Sequence, residues 1–97
     1  MVIVIGSLHF APEDRDAFIA SRLAGMKHSR AENGCITYTM TPDPIDDTLV
    51  VLTERWVDRA ALDAHIAAIP NAPKPDRKVS VVSRVIHVYE ADDGTLL

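Results

Sequence analysis

The segment Pro42-Asp43-Pro44-Ile45-Asp46-Asp47 constrains this chain most, because it is built from turn residues and separates two β-rich runs, residues 35–41 and 49–56. Two such runs around one turn predict an antiparallel hairpin, and the first is expected to alternate, with Ile36, Tyr38 and Met40 on one face and Cys35, Thr37, Thr39 and Thr41 on the other. A helical stretch and a further strand on each side of the hairpin leave few topologies open. Residues 2–10 are a β-branched run, apolar on both faces as far as Ile5, which suits a central strand. Pro12, Glu13 and Asp14 then open a helix, where proline is tolerated and acidic residues complement the helix dipole. Phe18, Ile19, Leu23 and Met26 form its apolar stripe. Lys27, His28 and Arg30 occupy its last turn, and Asn33-Gly34 stops it.

Beyond the hairpin, Asp58 is placed to cap a second helix with Leu62, Ile66 and Ile69 as its stripe, ended by Pro70. Residues 70–78, PNAPKPDRK, hold three prolines and read as a loop. Residues 79–90 read as a long last strand and 91–97 as a tail. The order β-α-β-β-α-β predicts one ferredoxin-like α+β domain over residues 1–97, an antiparallel sheet with helices on one face. The other face needs a cover, and a second copy of the chain, giving a homodimer, is the expected one.

Composition narrows the function. At 97 residues, with 47% hydrophobic and 25% charged residues, the chain supports one modest core. Net charge is −4 and no basic run tracks a phosphate backbone, so nucleic acid is not an expected partner. A single cysteine excludes an internal disulfide and any cysteine-based zinc site. The apolar N-terminus is short and lacks a basic leader, and no apolar run approaches the roughly 20 residues of a membrane span. No membrane partner and a cytoplasmic location are therefore expected.

Three residues carry candidate chemistry. On the strand 49–56, the period of two puts Val50, Leu52, Glu54 and Trp56 on one face. A carboxylate among such neighbours needs a lysine or arginine at the strand end, or a polar cavity. Trp56, the only tryptophan, fills core or lines a pocket. His65 borders the stripe of the second helix, where it is either satisfied by a carbonyl or available for proton transfer near neutral pH. Cys35, after a helix-stop glycine, reads as a small buried hydrophobe. No two histidines are three or four apart, so no helical metal pair is present and no metal site is expected. His9 and His87 lie on strands expected to be neighbours; they would make a weak metal site at most. His28 reads as a surface residue. There is no phosphate-binding glycine loop and no serine nucleophile elbow.

The segments SRAENGCITYTM (29–40), DPIDDTLVVLTERW (43–56) and DRAALDAH (58–65) resemble the antibiotic biosynthesis monooxygenase family. The matching residues are Glu32, Gly34, Cys35 and Tyr38, then Glu54, Trp56, Asp58 and His65. The resemblance implies a dimeric α+β barrel with an apolar pocket between sheet and helices. It also implies oxidation of a small aromatic, phenolic or quinol substrate by O2 without metal or flavin, hence no cofactor. In that reading His65 is the base, with Trp56, Tyr38 and Glu54 around the substrate. Relatives that degrade haem use an asparagine on the first strand and a histidine after the second helix. This chain has no asparagine on the first strand and no second histidine in the segment that follows His65, residues 66–78, which speaks against haem. The same pocket would also serve an isomerase of small carbonyl metabolites, or a non-catalytic dimeric binding or stress protein. The loop 70–78 reads as an exposed connection with solvated charges; as a lid it would bring Lys74, Arg77 or Lys78 to an anionic substrate.

Overall fold

The computed structural model describes residues 1–74 and 79–97. Arg77 and Lys78 lie outside the described residues. The order is β1 (Val2–His9), α1 (Pro12–Ser21), α2 (Leu23–Arg30), β2 (Cys35–Pro42), β3 (Leu49–Trp56), α3 (Arg59–Ala68), a 3-10 turn (Ile69–Asn71) and β4 (Ser83–Glu90). The four strands make one antiparallel sheet in the order β2-β3-β1-β4. This is the expected ferredoxin-like arrangement, with β1 and β3 central.

The turn chemistry of residues 42–47 closes the hairpin as its composition demands. Asp43 Oδ2 accepts from the backbone N–H groups of Ile45 and Asp46, and Asp46 Oδ1 accepts from the N–H and hydroxyl of Thr48. Arg15 of α1 donates to the carbonyls of Asp43 and Asp46, fastening the turn to the helices. Asp58 caps α3 by accepting from the Ala61 N–H at 2.8 Å.

Four local expectations are corrected. The first helix is two helices, α1 and α2, which meet at Arg22, a turn residue with φ of −100° and ψ of 0°. The phase changes there, so Phe18 and Met26 are buried while Leu23 is 54% exposed. The last strand begins at Ser83 rather than at residue 79. Its one neighbour among the described residues, β1, ends where His9 pairs with Ser83, so earlier residues have no ladder to join. Strand β2 does not alternate cleanly: a register shift between Cys35 and Thr37 sets Cys35 opposite Trp56 and turns Ile36 outward. On α3 the buried residues are Leu62 and His65, while Ile66 and Ile69 are half exposed. His9 and His87 do not meet. Ile5 faces His87, and the His9 ring bonds the Thr48 hydroxyl.

The core lies between the sheet and the helices. Val2, Val4 and Leu8 of β1 and Val50, Leu52 and Trp56 of β3 supply its floor; Phe10, Phe18 and Leu62 complete it. Burying each aliphatic or phenylalanine side chain stabilises the fold by roughly 1.5–3 kcal/mol. The other sheet face is open: Ile5, Val85 and Tyr89 are 41%, 58% and 51% exposed. The helices also leave the inner side of β4 uncovered, where Ile86 and Val88 are exposed. Among the described residues no helix is long and apolar enough to cross a membrane.

Candidate functional site

Three elements converge on His65. Strand β3 delivers Glu54 and Trp56 on its inner face, two positions apart, by the period of two. Strand β2 delivers Tyr38, whose register partner is Glu54. Helix α3, fixed at its start by Asp58, brings His65 down onto both. The His65 ring lies 4.8 Å from the Trp56 ring and 5.4 Å from the Tyr38 ring, centroid to centroid. The structure therefore brings together all four sequence-identified residues.

A fifth residue completes the cluster. Glu32, just after α2, holds His65 Nδ1 at 2.6 Å from its Oε1. An ionised carboxylate only accepts, so Nδ1 carries the proton and donates it. In the neutral ring Nε2 then keeps its lone pair. A carboxylate on one nitrogen of an imidazole is the arrangement by which acid–base enzymes orient a base. Nothing in the periodicity near Glu32 marks it. Its only signal is its place in the Glu-x-Gly-Cys run of the family motif. Gly34 makes the placement possible: its φ is +84°, and a Cβ there would come within 2.6 Å of Ala61 and 2.9 Å of Val57. The close approach lets the Gly34 carbonyl accept from the Val57 N–H at 2.9 Å, tying the end of the α2 turn to the start of α3.

Among the described residues Glu54 pairs with neither lysine nor arginine. Its Oε1 accepts from Trp56 Nε1 at 2.9 Å, and both residues are buried. Burial pushes the Glu54 carboxyl above its ordinary value, while the Trp56 hydrogen bond and the neighbouring His65 oppose the shift. Tyr38 is pushed up to about 12, first by burial and then by the Glu54 charge, so it stays a phenol and a donor at neutral pH. Burial and the nearby Glu32 charge also raise the Cys35 thiol, which argues against a nucleophile there.

These side chains border a cleft between the sheet and the helices. It has two adjoining lobes of ≈ 790 and ≈ 720 Å³. His65, Tyr38, Met40, Phe18 and Arg22 line both lobes, and Glu54 lines the second. Trp56 lies behind the wall, fully buried, so it backs His65 rather than facing the cleft. Ile66 and Ile69 of the expected stripe instead rim the second lobe opposite Ile86 and Val88, which explains their exposure. Lys74 borders the first lobe, exposed, with its ammonium on the Pro70 carbonyl. Among the described residues no three His, Cys, Asp or Glu side chains are grouped to hold a metal ion.

The geometry has counterparts. Residues 1–68 match the antibiotic biosynthesis monooxygenase family. A 64-residue stretch, 66% of this chain, is 36% identical to the uncharacterized protein sll1783 of Synechocystis, and takes in 44% of that protein's length. A 65-residue stretch, 67% of this chain, is 29% identical to YcnE of Bacillus subtilis, named as a candidate monooxygenase, and takes in 68% of it. Among solved structures, a candidate antibiotic biosynthesis monooxygenase of Deinococcus radiodurans superimposes with a TM-score of 0.79 over 100% of this chain and 98% of its own, at 23% identity. That last likeness speaks for the fold; the family match over 1–68 takes in Glu32, Tyr38, Glu54, Trp56 and His65, every member of the cluster. The chain belongs to the antibiotic biosynthesis monooxygenase family.

Proposed function

We propose that the cleft oxidises a small phenolic or quinol substrate with O2, with His65 as the general base. The hydrogen bond from His65 Nδ1 to Glu32 carries this reading, because it fixes the tautomer and leaves Nε2 basic at the cleft wall. Base and substrate supply the chemistry. Nε2 removes the phenolic proton, and the phenolate is electron-rich enough to react with O2 through its ring carbon. The peroxide so formed loses the hydrogen on that carbon as a proton, and the O–O bond breaks. A phenol with one free ring position and one O2 thus become a quinone and one water. Tyr38 is the donor to the developing oxyanion, and the Trp56–Glu54 pair holds the imidazole from behind. The apolar walls keep water from the reactive pair.

The same reading includes a homodimer in which a second copy covers the open sheet face. Exposed Ile5, Val85 and Tyr89 support it. The activity is tested by O2 uptake of metal-stripped protein with a panel of hydroquinones and naphthols. Uptake above the spontaneous rate is expected, falling about 10²–10⁴-fold in His65→Ala, the span general bases supply. Product formed from a carbonyl substrate without O2 would favour the isomerase reading instead.

A further inference from the structure

Among the described residues Arg22 is the one charged residue that the proposed chemistry does not use and yet lines both lobes. It stands at the junction of α1 and α2, outside regular helix. Its guanidinium carbon lies 5.2 Å from the centre of the Phe18 ring. That contact places the cation over an aromatic face, which attracts it without using an acceptor. Its Nε is buried and, among the described residues, has no hydrogen-bond partner. A guanidinium is always charged, and a buried donor without an acceptor is costly, so a ligand oxygen that reaches it is strongly favoured.

We propose that Arg22 is the anion-recognition residue of the cleft, and that the substrate is an aromatic carboxylate whose carboxyl group seats on it. The inference rests on the reading of the cleft as the substrate site. Phe18, Met26, Tyr38 and Met40 give an aromatic body its walls. A carboxylate matches the planar side of an arginine, two parallel N–H groups against two oxygens. A phosphate dianion fits less well: Arg22 is a single charge, and Glu32 and Glu54 stand within the same cluster. Lys74 is exposed and already donates to the Pro70 carbonyl, so it is the weaker competitor for the anion. Arg22 makes no contact with the reacting atoms in this account. It sets which substrate enters and how its hydroxyl meets His65.

The test is isothermal titration calorimetry with 2-naphthoate and its neutral isostere 2-naphthamide. Neither probe carries a phenol, so the result is independent of O2 chemistry. Wild type is expected to bind naphthoate at least ~10-fold more tightly than the amide, the effect of one charge-assisted hydrogen-bonded pair. Arg22→Met is expected to erase that preference, lowering naphthoate affinity more than amide affinity; Arg22→Lys is expected to keep part of it. Equal binding of the two probes by wild type overturns the proposal without any variant, and so does failure of wild type to bind either. A preference that survives Arg22→Met, or that is lost instead in Lys74→Gln, overturns the assignment to Arg22. A naphthoate preference without O2 uptake from any phenol would leave Arg22 standing and remove the oxidation reading; uptake without the preference would do the reverse.

Discussion

At the scale of single residues, the site is a contest between burial and charge. Glu54 is 5% exposed and accepts a hydrogen bond from Trp56. Its carboxyl titrates above its ordinary value in the folded chain, chiefly because burial disfavours the anion. The sign follows from linkage. Between the unfolded and folded pKa the folded state binds more protons, so this group's contribution is present at acid pH and is lost as pH rises through the raised folded value. Glu54→Gln keeps an acceptor for Trp56 Nε1 and removes the charge. Urea denaturation from about pH 4, near the unfolded carboxylate value, to pH 8 is expected to show the variant gaining stability relative to wild type as pH rises, then levelling. A constant difference across that range would mean that Glu54 is not the strained carboxylate. Glu32 has the opposite role: its charge is used, by His65.

At the scale of elements, much of this arrangement was legible beforehand and some was not. The period of two on residues 49–56 put Glu54 and Trp56 on the buried face, and Asp58 marked the start of α3. Both are local signals, read within a few residues. The pairing of Glu32 with His65 spans 33 residues and depends on how α2 and α3 meet, which no periodicity encodes. The break at Arg22 was also hidden, since no proline or glycine stands at that position, and the bulge at Ile36 looked like plain alternation. The stripe at Leu62, Ile66 and Ile69 had the right period but the wrong centre, because the apolar rim of a cleft and the apolar face of a core look alike in sequence. Gly34 is where these elements lock. Gly34→Ala is expected to cost roughly 2–4 kcal/mol, from a side chain at positive φ and from the clash with Ala61 and Val57. Gly25, inside α2 with open space around its Cβ position, is the internal control: Gly25→Ala is expected to stabilise by about 0.5–1 kcal/mol. Thermal melts of the two variants check both signs.

At the scale of the whole molecule, the sheet divides the labour. Its inner face builds the core and the cleft, and its outer face carries Ile5, Val85 and Tyr89 into solvent. On the proposed account, a second copy closes that face. Sedimentation equilibrium at micromolar concentration is expected to give twice the 10.6 kDa chain mass, and Ile5→Lys, at the centre of the face, to return it to the single mass. A single-chain mass for wild type would remove the dimer. The central claim remains the basicity of His65 in the cleft, and it is measured most directly without O2. Wild type, His65→Ala and Glu32→Gln are each titrated with 1-naphthol under argon at neutral pH, and the absorbance of the naphtholate anion is recorded. The account predicts bound naphtholate in wild type, less in Glu32→Gln, and none in His65→Ala. Equal naphtholate in wild type and His65→Ala, or bound naphthol that stays neutral in wild type, would contradict it.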